Sequence, residues 1–217
     1  MITLYGVTRS RASRAIWLLN ELGQEYKQVP VIQAYRLANP NAPDAPLHTK
    51  SPDFLKVNPN GHVPSMADGD LVLHESLAIN LYIAKKYGGP LAPQSLAEDG
   101  LMTMWALWIT TELEPHAIQI MYHRVMKPEA ERIPKMADDA EAALAGVFGV
   151  LEAALASGYL VGNRFTVADI NMAEVVRYAT AAPKLFEAHP RVKAWLDACR
   201  ARPAFQAMWA KRDAEPA

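Results

Sequence analysis

The spacing of apolar residues divides the chain into two unlike parts. In the first part, short apolar runs at residues 2–5 and 26–32 are separated by a stretch with apolar positions three or four apart. The first run ends at Gly6, and Gly23 stands where a helix of that spacing would have its C-terminal cap. The pattern predicts a strand, a helix and a second strand. Such a unit is joined by a right-handed crossover, so its two strands are expected to be parallel.

The next apolar runs predict a hairpin and a helix. Residues 63–67 and 71–73 flank Asp68-Gly69, and Asp-Gly between two short runs favours a tight turn. Ser76 is placed to cap the helix that follows, which ends at a second glycine, Gly88. The order βαβ followed by ββα predicts a thioredoxin-like domain of the α/β class.

After Glu98 the alternation typical of strands disappears and helical spacing takes over. One helix is expected to continue from Glu98 towards Tyr122, and an alanine- and leucine-rich helix over residues 137–156. Thr166 and Asp169 form an S/T-x-x-D pattern, which predicts a helix start at which each residue bonds the backbone N–H of the other. This part is therefore predicted to be all-α, a C-terminal helical bundle.

These patterns predict two domains, residues 1–88 and residues 97–217, joined by a short linker rich in glycine and proline. Residues 33–50 contain three prolines and no periodic apolar pattern, so they are predicted to form a loop. Loops longer than about 12 residues are usually functional or mobile.

Composition excludes several classes of protein. The 217 residues are 51% hydrophobic and 21% charged, with a net charge of −1, which gives no overall attraction to nucleic acid or acidic lipid. No apolar run approaches the ~20 residues of a spanning helix, and no basic leader precedes an apolar segment, so a cytoplasmic location is expected. The single cysteine, Cys199, lies in a helical apolar pattern and is expected to be buried and inert.

A polar segment beside the predicted hairpin carries a more specific signal. The run N-P-N-G-H-V-P at residues 58–64, followed by Glu75-Ser76 at the helix start, resembles the glutathione site of the cytosolic glutathione transferases. The resemblance covers nearly the whole chain, apart from the loop 33–50 and the last few residues. It indicates a bacterial-type member of that family with a serine-type glutathione site.

The resemblance assigns roles to five residues. It implies that the bond between Val63 and Pro64 is cis and that the Val63 backbone pairs with the cysteinyl part of glutathione. Glu75 and Ser76 correspond to the pair that holds the γ-glutamyl carboxylate. His62 falls near the position of the glycyl end.

Glutathione chemistry needs a thiolate, and a hydroxyl at a helix N-terminus can stabilise one. The turn after the first strand offers three hydroxyls, Thr8, Ser10 and Ser13. The resemblance favours Ser10, because residues 10–14 match the Ser-x-x-x-Arg pattern of serine-type transferases; Ser13 is the second candidate and Thr8 the third. Arg11 is expected either to draw anionic substrate groups to the site or to be a solvated residue at the helix start.

The electrophile pocket is expected on the long helix of the second domain. Trp108, Thr111, Glu112 and His116 are the candidates, although a tryptophan on a helix is more often a core residue than a pocket residue. His116 and His123 lie seven residues apart and neither has a partner at ligand spacing, so no metal site is expected.

The resemblance implies a transferase that uses glutathione as co-substrate and conjugates it to small, mostly apolar electrophiles, as in detoxification. It also implies a homodimer, while the net charge and the apolar spacing predict no nucleic-acid partner and no membrane. Two alternatives stay open at this point. One is a glutathione-dependent isomerase, dehalogenase or peroxidase, and the other is a non-catalytic regulatory or binding protein of the same fold.

Overall fold

The computed structural model describes residues 1–215. Its chain separates into two compact units, one made of Met1–Tyr87 together with the helix Pro203–Ala214, and the other of Gly88–Arg202. The sequence predicts that Pro203–Ala214 belongs to the second domain, whereas this helix packs on α1 of the first unit. The domain limits 1–88 and 97–217 stay predictions.

The elements follow one another in the predicted order. The strands are β1 (Ile2–Tyr5), β2 (Tyr26–Val29), β3 (Ser65–Asp68) and β4 (Leu71–His74). The α-helices in the described residues are α1 (Ser13–Glu21), α2 (Pro52–Val57), α3 (Ser76–Tyr87), α4 (Leu96–Trp108), α5 (Glu114–Met121), α6 (Pro134–Ala154), α7 (Val167–Val176), α8 (Pro183–Ala188), α9 (Pro190–Arg200) and α10 (Pro203–Ala214).

The first unit is built on a four-stranded mixed sheet with the order β2-β1-β3-β4. β1 pairs with β2 in parallel and with β3 antiparallel, and β3 and β4 form the predicted hairpin. Ile2, Leu4 and Met66 are fully buried on this sheet. This arrangement confirms the predicted thioredoxin-like order.

α1 forms much of the core of the first unit. Its residues Ile16, Trp17 and Leu18 are fully buried, and each such side chain contributes roughly 1.5–3 kcal/mol by leaving water. Trp17 meets Phe205 of α10 edge to face, with ring centroids 5.0 Å apart. α1 is therefore held by two helices, α3 and α10.

The long helix predicted from Glu98 towards Tyr122 is helical throughout, but it is not a regular α-helix in its middle. α4 ends at Trp108, and a π-helical turn, Ile109–Leu113, separates it from α5. Within this turn the Glu114 N–H bonds the Ile109 carbonyl, five residues back. Pro115 has no N–H for the regular bond four residues back, so the chain takes the wider turn here.

The remaining helices form the second unit. α6 buries one stripe against its neighbours, and α7 is buried on all sides. The Thr166 and Asp169 capping box is present as predicted. Cys199 is buried, as expected. The six-residue helix α8 was not predicted, because a segment this short carries less than two turns of apolar spacing.

The stretch Pro134–Ser157 is long and apolar enough to cross a membrane by length and composition alone. One helix of this kind is weak evidence, because core helices of soluble proteins pass the same test. About 28% of its apolar window is buried. The exposed positions of this helix are mostly small or charged, such as Lys135, Asp138 and Ala142.

Candidate functional site

The turn that follows β1 carries the hydroxyl favoured by the sequence. Gly6 ends the strand at φ 141° while its N–H bonds the Val29 carbonyl of β2 at 2.9 Å. The Ser10 hydroxyl then donates to the Val7 carbonyl at 2.7 Å and accepts from the Ala12 N–H at 3.0 Å. Ser10 is half-buried and closes the turn that leads into α1.

The segment before β3 meets this turn. The Val63–Pro64 peptide is cis, as the resemblance implies, and Pro64 leads into β3, where Ser65 pairs with Tyr5 of β1. A Cβ added to Gly6 would lie 3.4 Å from the Val63 Cβ and 3.5 Å from the Ser10 Oγ. The valine and the serine hydroxyl thus flank the space that this glycine leaves open.

The loop of residues 58–64 is shaped by a buried asparagine. The Asn58 side-chain amide donates to the His62 carbonyl at 2.9 Å and to the Ser65 hydroxyl at 3.1 Å. The His62 side chain is exposed beside it. The sequence pattern predicts only that Asn58 lies in a loop, but a buried amide needs several hydrogen bonds and so can order that loop.

Glu75 and Ser76 lie where β4 turns into α3. Glu75 has φ 66°, a conformation that costs a non-glycine residue about 1 kcal/mol or more, and its side chain is exposed. Ser76 begins α3 and is buried, and its hydroxyl accepts a hydrogen bond from the Arg14 guanidinium at 2.9 Å. A buried cation of α1 thereby reaches the start of α3. That start can bind an anion through its backbone N–H groups.

The three candidate hydroxyls differ in exposure. Thr8 and Ser13 are fully buried, and the Thr8 Oγ1 has no hydrogen-bond partner among the described residues. Ser10 is the partly exposed member of the three, and Arg11 beside it is exposed. The geometry therefore favours Ser10 over Ser13 as the hydroxyl that a ligand can reach.

Comparison with known proteins shows the family of this chain. The family model of the glutathione S-transferase N-terminal domain matches residues 4–91, and that of the C-terminal domain matches residues 113–203. Glutathione S-transferase 3 of Zea mays is 37% identical over 219 residues, which cover 94% of this chain and 91% of the maize protein. The chain belongs to the glutathione S-transferase family.

Solved structures of other transferases agree with this fold. Glutathione transferase F7 from Populus trichocarpa has a TM-score of 0.82 at 28% identity, covering 98% of this chain and 99% of that one. The theta class glutathione S-transferase of Xanthomonas axonopodis pv. citri, solved with glutathione bound, has a TM-score of 0.79 at 31% identity and covers 95% of both chains. Because these relatives are from plants and a bacterium, the bacterial type stays a prediction.

The predicted pocket residues of the transferase lie together in the second unit. Trp108 is half-buried and meets Trp105 edge to face, with ring centroids 5.2 Å apart. Thr111 and Glu112 are exposed on the π-helical turn, and His116 is half-buried on α5. π-helical turns are frequent at functional sites, so the turn is a signal that the sequence did not reveal. Their role in binding an electrophile stays a prediction.

No group of three or more His, Cys, Asp or Glu side chains that could hold a metal ion occurs within residues 1–215.

The proline-rich loop of residues 33–50 contacts the turn that carries Ser10. Gln33 and Arg36 donate to the Arg9 carbonyl at 3.4 Å and 3.2 Å, respectively. The loop thus supports the residue directly before Ser10, a contact that its sequence does not predict.

Proposed function

We propose that this transferase uses the Ser10 hydroxyl to stabilise the thiolate of bound glutathione, which then attacks a small, mostly apolar electrophile. Family membership over both domains supports glutathione conjugation with glutathione as the co-substrate. The single observation that carries the role of Ser10 is its position. Its hydroxyl and the Val63 side chain flank the space left open by Gly6, at the turn before α1.

A free thiol has a pKa of about 8.5, so only a few per cent is ionised at neutral pH. A hydroxyl that donates a hydrogen bond to sulfur stabilises the charged form and lowers the thiol pKa without acting as a base. The Ser10 hydroxyl bonds the Val7 carbonyl in this structure. Rotation about its Cβ–Oγ bond would redirect the proton to sulfur, while the Oγ keeps the hydrogen bond from the Ala12 N–H.

The tripeptide would be held at points away from sulfur. Val63 lies just before the β3 ladder, where its backbone can pair with the cysteinyl part, and the exposed His62 is near the glycyl end. Glu75 and Ser76 at the start of α3 would bind the γ-glutamyl group. The step itself forms a C–S bond as the electrophile's leaving group departs with its electron pair. No covalent intermediate with the enzyme is needed.

The electrophile would be bound by Trp108, Thr111, Glu112 and His116 of the second unit.

We also propose a cytoplasmic homodimer. Each unit offers apolar surface that a second copy of the chain could cover. In the first unit it lies on the edge strand β4, and in the second on α4; the residues are Leu71, Val72, Leu101, Met104 and Leu107.

The test is turnover by the purified protein with glutathione and 1-chloro-2,4-dinitrobenzene, followed by the absorbance of the thioether product. A rate well above the uncatalysed reaction is expected. Parallel assays with a hydroperoxide and with an isomerisable substrate would reveal a glutathione-dependent peroxidase or isomerase. Retention on immobilised glutathione without turnover of any electrophile would overturn the proposal in favour of a binding protein.

A further inference from the structure

A carboxylate that comes from far along the chain binds the back of the serine turn. The Glu215 side chain accepts from the Thr8 N–H through Oε1 and from the Arg9 N–H through Oε2, both at 2.8 Å. The partners are separated by 207 and 206 positions in the sequence. Both bonds are charge-assisted, which makes them roughly twice as strong as neutral ones.

The Arg9 side chain in turn binds the end of α10. Its Nε donates to the Arg212 carbonyl at 2.9 Å, and its Nη2 donates to the Asp213 carbonyl at 3.4 Å. These carbonyls belong to the last turn of α10, where a cation is favoured by the helix dipole. The turn after β1 and the end of α10 therefore form a reciprocal clasp, in which each side supplies a charge to the other's backbone.

The clasp acts on the peptide groups that precede the proposed catalytic serine. The peptide group between Val7 and Thr8 has its N–H on Glu215 and its carbonyl on the Ser10 hydroxyl. A peptide group is planar, so fixing the N–H also fixes the direction of the carbonyl. The Arg9 N–H, on the next peptide group, is bonded to the second oxygen of Glu215.

We infer that Glu215 is a positioning residue for catalysis, which holds the backbone of the turn through the Thr8 and Arg9 N–H groups and thereby sets the position of the Ser10 Oγ. This inference rests on the role proposed for Ser10. Glu215 does not touch the reacting atoms in this account. It acts by holding the backbone of the turn, since a misplaced catalytic group can cost much of its effect on rate.

The sign of the effect distinguishes positioning from simple electrostatics. If Glu215 mattered only as a nearby negative charge, its removal would favour the thiolate and lower the thiol pKa of bound glutathione. If it positions Ser10, its removal weakens the hydrogen bond to sulfur and raises that pKa. The two readings therefore predict opposite shifts.

The experiment compares Glu215→Ala and Glu215→Gln with Asp213→Ala, an exposed neighbouring carboxylate whose main-chain carbonyl is retained. Thiolate absorbance of bound glutathione is titrated in each, and kcat, the KM for glutathione and the melting temperature are measured. Glu215→Ala is expected to raise the thiol pKa by about 0.5–1 and to lower kcat roughly 3- to 10-fold at pH 6.5, with KM changed less than about twofold. Glu215→Gln, which keeps one acceptor oxygen, should show a smaller shift in the same direction. Asp213→Ala should show none.

Ser10→Ala is titrated alongside. If it leaves the thiol pKa unchanged, the proposed role of Ser10 fails and this inference fails with it. If Ser10→Ala raises the pKa while Glu215→Ala leaves it unchanged or lowers it, only the inference is overturned. If Glu215→Ala does not fold, Glu215→Gln tests the inference instead: a rise in the thiol pKa supports it, and no change or a fall overturns it. A lower melting temperature with unchanged titration and kcat would mean a purely structural clasp and would overturn the inference.

Discussion

Helix α7 begins at a complete capping box, whereas α1 begins without a side-chain cap at Ala12 in the part of the chain that is described. At α7 the Asp169 carboxylate accepts from the Thr166 N–H at 2.9 Å, and the Thr166 hydroxyl accepts from the Ala168 N–H at 3.3 Å. At α1 the Ser10 hydroxyl accepts from the N–H of the N-cap residue Ala12, and Glu215 accepts from the Thr8 and Arg9 N–H groups of the turn before the helix.

This difference indicates two roles for a helix start: the start of α7 stabilises the fold, whereas the start of α1 can act on a ligand. The first turn of α7 contains an acid, which offsets the partial positive charge of the helix end. The first turn of α1 reads Ser13-Arg14-Ala15 and contains none, so its positive end stays available to an incoming thiolate. The Ser10 hydroxyl is bonded to a single carbonyl, which it can exchange for sulfur at little cost.

The largest predicted effect is a loss of stability on removing Asp169 from the capping box of α7. Asp169 is fully buried and also accepts from the Trp195 indole N–H at 3.0 Å and from the Leu160 N–H at 3.2 Å. Asp169→Ala leaves these donors unsatisfied and should lower the free energy of unfolding by about 3–4 kcal/mol. Urea denaturation measures this. The control is Asp197→Ala, an exposed acid of α9, which should cost less than about 0.5 kcal/mol. A loss no larger than the control's would contradict the role of the box.

The same residue should give stability a pH dependence of known sign. Burial raises the pKa of Asp169 to about 6, against the opposing effect of its hydrogen bonds. Between the unfolded and folded pKa values the folded state holds a proton that the unfolded state has released, so stability falls as pH rises. From pH 4.5 to 7, the stability of the wild type relative to Asp169→Asn should fall by about 2 kcal/mol.

Glu98 has the opposite effect on the pH dependence of stability, but it acts below this pH window. The ion pair with Arg164 lowers the pKa of Glu98 to about 2, so the stability that Glu98 contributes is fully present above pH about 4.5 and is lost only in stronger acid. Denaturation curves of the wild type and Asp169→Asn at several pH values measure the difference. A difference that does not change with pH would mean that Asp169 does not titrate in this range.

The next prediction concerns the proposed glutathione site, where replacing Glu75 should weaken glutathione binding without slowing the chemical step. Glu75→Gln is expected to raise the KM for glutathione at least about tenfold and to leave kcat nearly unchanged, because the contact is made equally in the ground and transition states. Steady-state kinetics with varied glutathione separate the two constants. Glu131→Gln, also exposed but in the second unit and outside the proposed sites, should leave this KM unchanged. A fall in kcat with constant KM would contradict the assignment of Glu75.

Local patterns in the sequence predicted the cap of α7 and the hairpin after Pro64, because their determinants lie within a few residues of each other. The π-helical turn at Ile109–Leu113 was missed, since apolar spacing alone does not show which carbonyl loses its donor at a proline. The contact of Glu215 with the serine turn could not be predicted, because its partners are more than 200 positions away. The same holds for the bond between Arg14 and Ser76, which joins two helices.

The titration of bound glutathione in Ser10→Ala and Ser13→Ala tests the central claim most directly. A hydrogen bond from a hydroxyl to a charged group contributes about 1.5–3 kcal/mol, so Ser10→Ala should raise the thiol pKa by about one to two pH units. Ser13 is fully buried in α1, and Ser13→Ala should leave the titration nearly unchanged. The account is contradicted if Ser13→Ala raises the thiol pKa and Ser10→Ala does not.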